Sequence, residues 1–336
     1  MRILLAFFAA FAGFPLTAAH AQHTVDIREW EAPYEQSRPR DPFAASETSI
    51  WFVGQRAGYL ARLDAETGEF TKIDLKDGSG PHNLIVGSDG AVWYAGNRHG
   101  LIGRFDPAAN TIEEIAMPDP AARDPHTLVF DEGEENIWFS VQGGNFIGRL
   151  NIETRKVDLI PSQTERSRPY GVKMAPDGSV WIALFGTNKL GHVDPETLEL
   201  KEIDLPREET RPRRLEVTRD GRVWYADHAG GMLGVYDPRT QDITEWPMPQ
   251  GEGARPYGMA SDASGKVWVV ATGVQPNIFT GFDPQTEMFF SMTEVPSGGG
   301  TIRHMHYHEP SGAVWFGTDT NYVGRAIVEP QPDEQG

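Results

Sequence analysis

The chain of 336 residues carries 30 lysines and arginines against 48 aspartates and glutamates, a formal net charge of −18, and no cysteine. An acid excess of that size argues against nucleic acid or an anionic membrane as a partner, and the missing thiols exclude thiolate catalysis, thiolate metal sites and a disulfide framework. With 36 Gly, 25 Pro and 9 Trp, the composition favours many short strands joined by turns, in one large all-β unit whose stability comes from packing and closure.

From the amino terminus, Arg2, an apolar run from Ile3 to Leu16 and the small-residue exit Ala19-His20-Ala21 read as a secretory signal over residues 1–21, cleaved before Gln22. The run is short for a membrane anchor. The mature protein is therefore expected in the periplasm or secreted, soluble and monomeric. Next comes Ile27-Arg28-Glu29-Trp30-Glu31, a polar strand standing alone before any complete repeat.

From there the chain repeats. Trp51, Trp93, Trp138, Trp181, Trp224, Trp268 and Trp315 fall into one column with a period of about 42 to 47 residues, the signature of a repeat architecture. Each repeat reads as four strands. The first follows a Pro-aromatic or Pro-His pair, as in Tyr170 to Met174, and ends at a turn such as Asp177-Gly178 or Asp220-Gly221, where glycine tolerates positive φ. The second holds the tryptophan, the third carries Ile102-Gly103-Arg104 or its equivalent, and Asp-Pro turns such as Asp106-Pro107 and Asp194-Pro195 precede a polar fourth strand.

The fifth repeat ends with that fourth strand, Ile243-Thr244-Glu245-Trp246-Pro247, but the seventh stops at Ile327-Val328 without one. The orphan strand around Trp30 supplies it if the amino terminus closes the ring, leaving no open sheet edge. The expectation is an all-β, seven-bladed β-propeller with four-stranded blades over residues 22–328, followed by an acidic flexible tail over 329–336.

The order Pro-His or Pro-Tyr, then Asp-Gly-x-Val-Trp, then Ile-Gly-Arg resembles the streptogramin lyase (virginiamycin B lyase) family over roughly residues 27 to 328. The resemblance implies a carbon–oxygen lyase that opens a cyclic ester by elimination. A histidine would take a proton beside a carbonyl, with Mg²⁺ near carboxylates steadying the enolate.

In the family the base follows the first-strand proline, and a glutamate follows the tryptophan by three. Counting eleven residues back from each tryptophan, or twelve in the third repeat, gives Arg40, His82, His126, Tyr170, Arg213, Tyr257 and His304, a ring expected at the channel mouth. Three forward stand Gly54, Gly96, Val141, Leu184, Asp227, Ala271 and Thr318. No repeat has both histidine and glutamate. The candidate bases are His304 and His82, and Asp319, one position further on, is the nearest carboxylate substitute for pairing with His304.

Arginines concentrate at this ring on an otherwise acidic protein: Arg38, Arg40, Arg168, Arg211, Arg213, Arg255 and Arg303. With His126, Tyr170, Asp227, Tyr257 and Asp319 they make a candidate site for an anionic small molecule; the alternative is that they tie neighbouring blades together. In His304-Met305-His306-Tyr307-His308 the same count aligns His306 and His308 with the blade-packing face, which makes them core histidines and not metal ligands. Two functions stay open, an exported lyase and a non-catalytic propeller holding an anion or a protein segment; a lactonase lacks its carboxylate cluster.

Overall fold

The computed structural model describes residues 23–329; the signal segment and most of the acidic tail lie outside them. Seven antiparallel sheets of four strands each stand around a central axis. In the first six blades the strands, here called A to D from the axis outward, run in chain order, in the seventh the first three do, and the A strands line the channel. They are Pro39–Ala44, Leu84–Val86, Pro125–Phe130, Pro169–Met174, Pro212–Val217, Pro256–Ser261 and Met305–His308.

Closure follows the expected route. Strand Asp26–Glu31 pairs antiparallel with Tyr322–Ile327, from Asp26 opposite Ile327 to Glu31 opposite Tyr322, and becomes strand D of the seventh blade. Its Trp30 stacks on Trp315 at 5.5 Å, as Trp246 of the fifth D strand stacks on Trp224 at 5.7 Å. The amino-terminal strand thus repeats the packing of a native D strand, so the ring is joined by core contacts as well as by backbone hydrogen bonds.

The repeat residues have structural reasons. Each column tryptophan is buried on strand B. The residue after it is usually aromatic, and its ring lies over the glycine of the Ile-Gly-Arg step: a Cβ at Gly103 would enter the Tyr94 ring, at Gly148 that of Phe139, at Gly234 that of Tyr225 and at Gly324 that of Phe316. Glycine is required there by close approach. At the turn between strands C and D the aspartate accepts backbone amides two and three residues on, Asp106 from Ala108 and Ala109 and Asp194 from Glu196 and Thr197, the Asx geometry that stops one strand and starts the next.

A β-bulge interrupts most A strands at their mouth end, between Arg40 and Phe43 in the first blade and between Pro169 and Val172 in the fourth. In a regular strand successive side chains face opposite ways. The bulge lets two successive residues face the channel, Arg40 with Asp41 for instance. That local departure builds the site.

Candidate functional site

The ring residues meet at one end of the channel. Arg40 Nη1 donates to His82 Nε2 at 2.7 Å, which fixes that nitrogen as the acceptor of a neutral imidazole. The His82 and His126 rings lie 3.5 Å apart and His126 lies 4.0 Å from the Tyr170 ring. Tyr170 and Tyr257 join hydroxyl to hydroxyl across the axis. Arg40, His82, His126, Tyr170 and Tyr257 are all less than a tenth exposed, so together they form a floor across the mouth. Above it, the half-buried Arg213 lies 4.1 Å from the Tyr257 centroid and 4.4 Å from that of Phe185.

Two residues that the column count passed over complete the upper mouth. His228 Nε2 accepts from Arg213 Nη1 at 3.0 Å, so its Nδ1 carries the hydrogen and donates to the Pro256 carbonyl at 3.3 Å. Burial, then Arg213, pushes this imidazole down to about 4. His228, Phe185 and Asp319 all stand four residues after their tryptophan. The position three after it, singled out from the sequence, faces elsewhere: Asp227 is fully buried behind the mouth, accepting from Arg207 at 2.8 Å and from the amides of Arg211, Ala229 and Gly230. Asp227 organises a loop. Arg211 likewise turns back to the carbonyls of Glu208 and Thr210.

The seventh blade corrects the register. His306 pairs with Trp315, as Lys173 pairs with Trp181 and Phe43 with Trp51. The turn at Glu309–Ser311 holds an additional residue as a single 3₁₀ turn, so Arg303, not His304, belongs to the mouth ring. Arg303 forms a bidentate pair with Asp319, its Nη2 at 2.7 Å, and Arg38 Nε reaches the same carboxylate at 2.9 Å. Asp319 therefore serves two guanidiniums and not His304. Arg168 and Arg255 stand exposed on the rim in the left-handed region, φ 54 and 47, with Arg168 5.4 Å from the Phe185 ring.

Directly under the ring lies a layer of buried polar groups. Asp41, 1% exposed, accepts from Asn83 Nδ2 at 3.0 Å and from Arg214 Nη2 at 3.2 Å, and its other oxygen is 3.4 Å from Arg40 Nε. Arg214 also donates to Thr127 Oγ1 at 2.9 Å and to the Arg303 carbonyl at 2.9 Å. His304 is at this level, one step deeper than the ring. Two buried guanidiniums face one carboxylate here, and the electrostatics follow. Although burial opposes it, Arg40 and Arg214 hold the Asp41 carboxyl below the usual range. Burial, then the arginines, push His82 and His126 well below ordinary imidazole values, and burial does the same to His304. All three are neutral near pH 7. Against burial, Arg40, Arg214 and Arg213 pull the Tyr170 phenol down, while burial and the neighbouring Tyr170 push Tyr257 up. Arg40 Nε and Nη2, Asp41 Oδ1, His82 Nδ1 and Arg213 Nε are buried without a hydrogen-bond partner, a concentration that marks a place for an ordered polar guest.

The mouth does not suit Mg²⁺. Asp319, Asp41 and Asp227 each already face arginine, and among the described residues no cluster of three His, Asp or Glu side chains has metal-binding geometry. No helix among these residues is long and apolar enough to cross a membrane.

Comparison with known proteins agrees with this architecture. A search of curated protein sequences gives no match. Among solved structures, a streptogramin B lyase aligns with TM-score 0.79 at 20% identity, covering 90% of this chain and 97% of that one. A catalytically inactive virginiamycin B lyase from Staphylococcus aureus with quinupristin gives TM-score 0.81 at 20% identity over 90% and 99%. Kuenenia stuttgartiensis hydrazine synthase gives 0.72 at 14% identity over 89% and 98%; at these identities the likeness is one of fold. The Virginiamycin B lyase family model matches residues 17–277, most of the propeller, and the chain belongs to that family.

Proposed function

We propose that the protein is an exported carbon–oxygen lyase of this family that opens a cyclic ester, or a related compound with an acidic C–H beside a carbonyl, at the arginine-lined channel mouth. The observation that carries the reading is the surplus of fixed positive charge there: Arg40 and Arg214 against Asp41, with Arg213 stacked above. Elimination beside a carbonyl develops negative charge on oxygen. Guanidiniums held in place before the reaction stabilise that charge without reorganising.

Tyr170 is the base this geometry favours. A phenol whose ionisation is eased by three arginines lies nearer its working range than imidazoles pushed far below theirs. As the phenolate, its oxygen takes the C–H proton and becomes the neutral phenol, the C–H electron pair becomes the new double bond, and the C–O pair leaves with the ester oxygen as a carboxylate. Arg213, above the floor, is the guanidinium available to receive that carboxylate. No step is assigned to Mg²⁺. The Arg2-led apolar run and Ala19-His20-Ala21 support export.

A second reading, a non-catalytic propeller that holds an anion, is favoured by one observation: the ring residues are buried, so an incoming molecule meets the rim arginines first. Incubation with a streptogramin B depsipeptide, with and without Mg²⁺, followed by mass spectrometry separates the two. Elimination gives an opened product of unchanged mass, equal with and without metal, and lost in Tyr170→Phe and Arg213→Ala; hydrolysis adds a water. Absence of product in both conditions, with anion binding that disappears in Arg213→Ala, overturns the lyase reading in favour of the second.

A further inference from the structure

The channel continues on the other side of the Asp41–Arg214 layer. There, on the face that carries the turns between strands A and B, residues of all seven blades line an open-mouthed chamber of about 350 Å³, at the lower end of the range for small-molecule sites. Its walls are mostly apolar, with Ile85, Leu128 and Val129 among them. Phe43 and His306, from the first and seventh blades, stack on each other at 4.2 Å and 24° and line one side of it. On adjacent A strands, Lys173 Nζ stands 2.7 Å from Glu216 Oε1. The glutamate is 6% exposed, and burial raises its carboxyl above the usual range despite Lys173. Nothing in the chemistry of the mouth uses this pair.

A charge pair in an apolar chamber is costly unless its electrostatic partners are complete. A lone cation entering here would meet Lys173, and a lone anion would meet Glu216. A molecule carrying an ammonium and a carboxylate on one carbon meets each residue with the opposite sign. The remaining groups fit the same guest: burial, then Lys173, pushes His306 down to about 3, so it stacks as a neutral ring, and His304, which also lines the chamber, has a buried Nδ1 without a partner.

We propose that this chamber binds a small zwitterion of the α-amino acid class with a flat apolar side chain. The carboxylate lies on Lys173, the ammonium on Glu216, and the side chain on Phe43 and His306. The site is separate from the mouth and independent of the reaction proposed there.

Isothermal titration of the whole chain with phenylalanine, 3-phenylpropanoate and phenethylamine tests it. Phenylalanine is expected to bind one to one and at least about tenfold more tightly than either half-molecule, the effect of one charge-assisted contact. Lys173→Met and Glu216→Gln each weaken it by about tenfold, and Arg213→Ala leaves it unchanged, which separates failure here from failure at the mouth. The proposal is overturned by no binding of any of the three, by a half-molecule binding as tightly as the amino acid, or by wild-type binding in both variants. The wild-type titrations need no substitution, and they alone decide if a variant lacks the wild-type circular dichroism spectrum.

Discussion

Asp41→Ala is the most direct probe of the charge layer under the mouth. The carboxylate is 1% exposed and within 3.2 Å of Arg214 and 3.4 Å of Arg40. Removing one partner of a buried ion pair leaves an uncompensated charge and costs about 3–5 kcal/mol. The lost Asn83 hydrogen bond adds about 1 kcal/mol. Against a typical total of about 5–15 kcal/mol, that is a large fraction, visible as a lower urea midpoint with an unchanged slope. Adding Arg214→Met is expected to restore part of the loss, because the unpaired guanidinium goes with it. The pH dependence has a definite sign. A carboxyl depressed in the folded state contributes stability that is fully present above its unfolded value of about 3.9 and lost as pH falls through the folded value. The difference between wild type and Asp41→Ala is therefore complete at neutral pH and shrinks in acid. A loss below about 1 kcal/mol, or a difference that stays constant into acid, would refute the reasoning.

Trp30→Ala, which removes the stacking partner of Trp315, is expected to cost about 3–5 kcal/mol by denaturant titration; a loss typical of an exposed residue would mean that the amino-terminal strand closes the ring by its backbone alone. Gly103→Ala drives a methyl into the Tyr94 ring and should cost about 1–3 kcal/mol, whereas Gly90→Ala, with open space around its position but φ +80, should destabilise through backbone strain alone and leave core fluorescence unchanged. Ultraviolet titration should show one phenol ionising below the ordinary value of about 10, moving up in Arg213→Ala. Because the Tyr170 value is depressed on folding, that phenolate adds stability as pH rises through the folded value towards the ordinary one; a titration with every tyrosine at or above its usual value contradicts the proposed base.

What was legible in the sequence is what most blades repeat. The tryptophan column, the Asp turns and the Ile-Gly-Arg step recur because each blade solves the same packing problem. The orphan strand was recognisable because its Trp30 does what Trp246 does. The site was harder to read, since each blade gives it a different residue. Register in the seventh blade slipped by one because the residue absorbed at Glu309–Ser311 is invisible to a fixed count, and the slip exchanged Arg303 with His304 and sent His306 from the channel to the core. Asp41 and Arg214 were passed over for a second reason, the bulge that turns two successive residues inward where alternation allows one.

These two departures have a common consequence for function. A regular A strand would line the channel with one side chain per blade at each level, too few to build both a closed floor and a charged layer beneath it. The bulge puts Arg40 and Asp41 side by side and sets Arg213 above the floor with Arg214 below it. The floor of His82, His126, Tyr170 and Tyr257 then separates a cationic mouth from an apolar chamber that holds a single ion pair. An anion at the mouth meets a field set by Arg213, Arg40 and Arg214. A guest in the chamber meets Lys173 and Glu216 instead. Substitutions on one side should leave the other unaffected unless they break the Asp41 layer that both share, which makes Asp41→Ala the one variant expected to impair both.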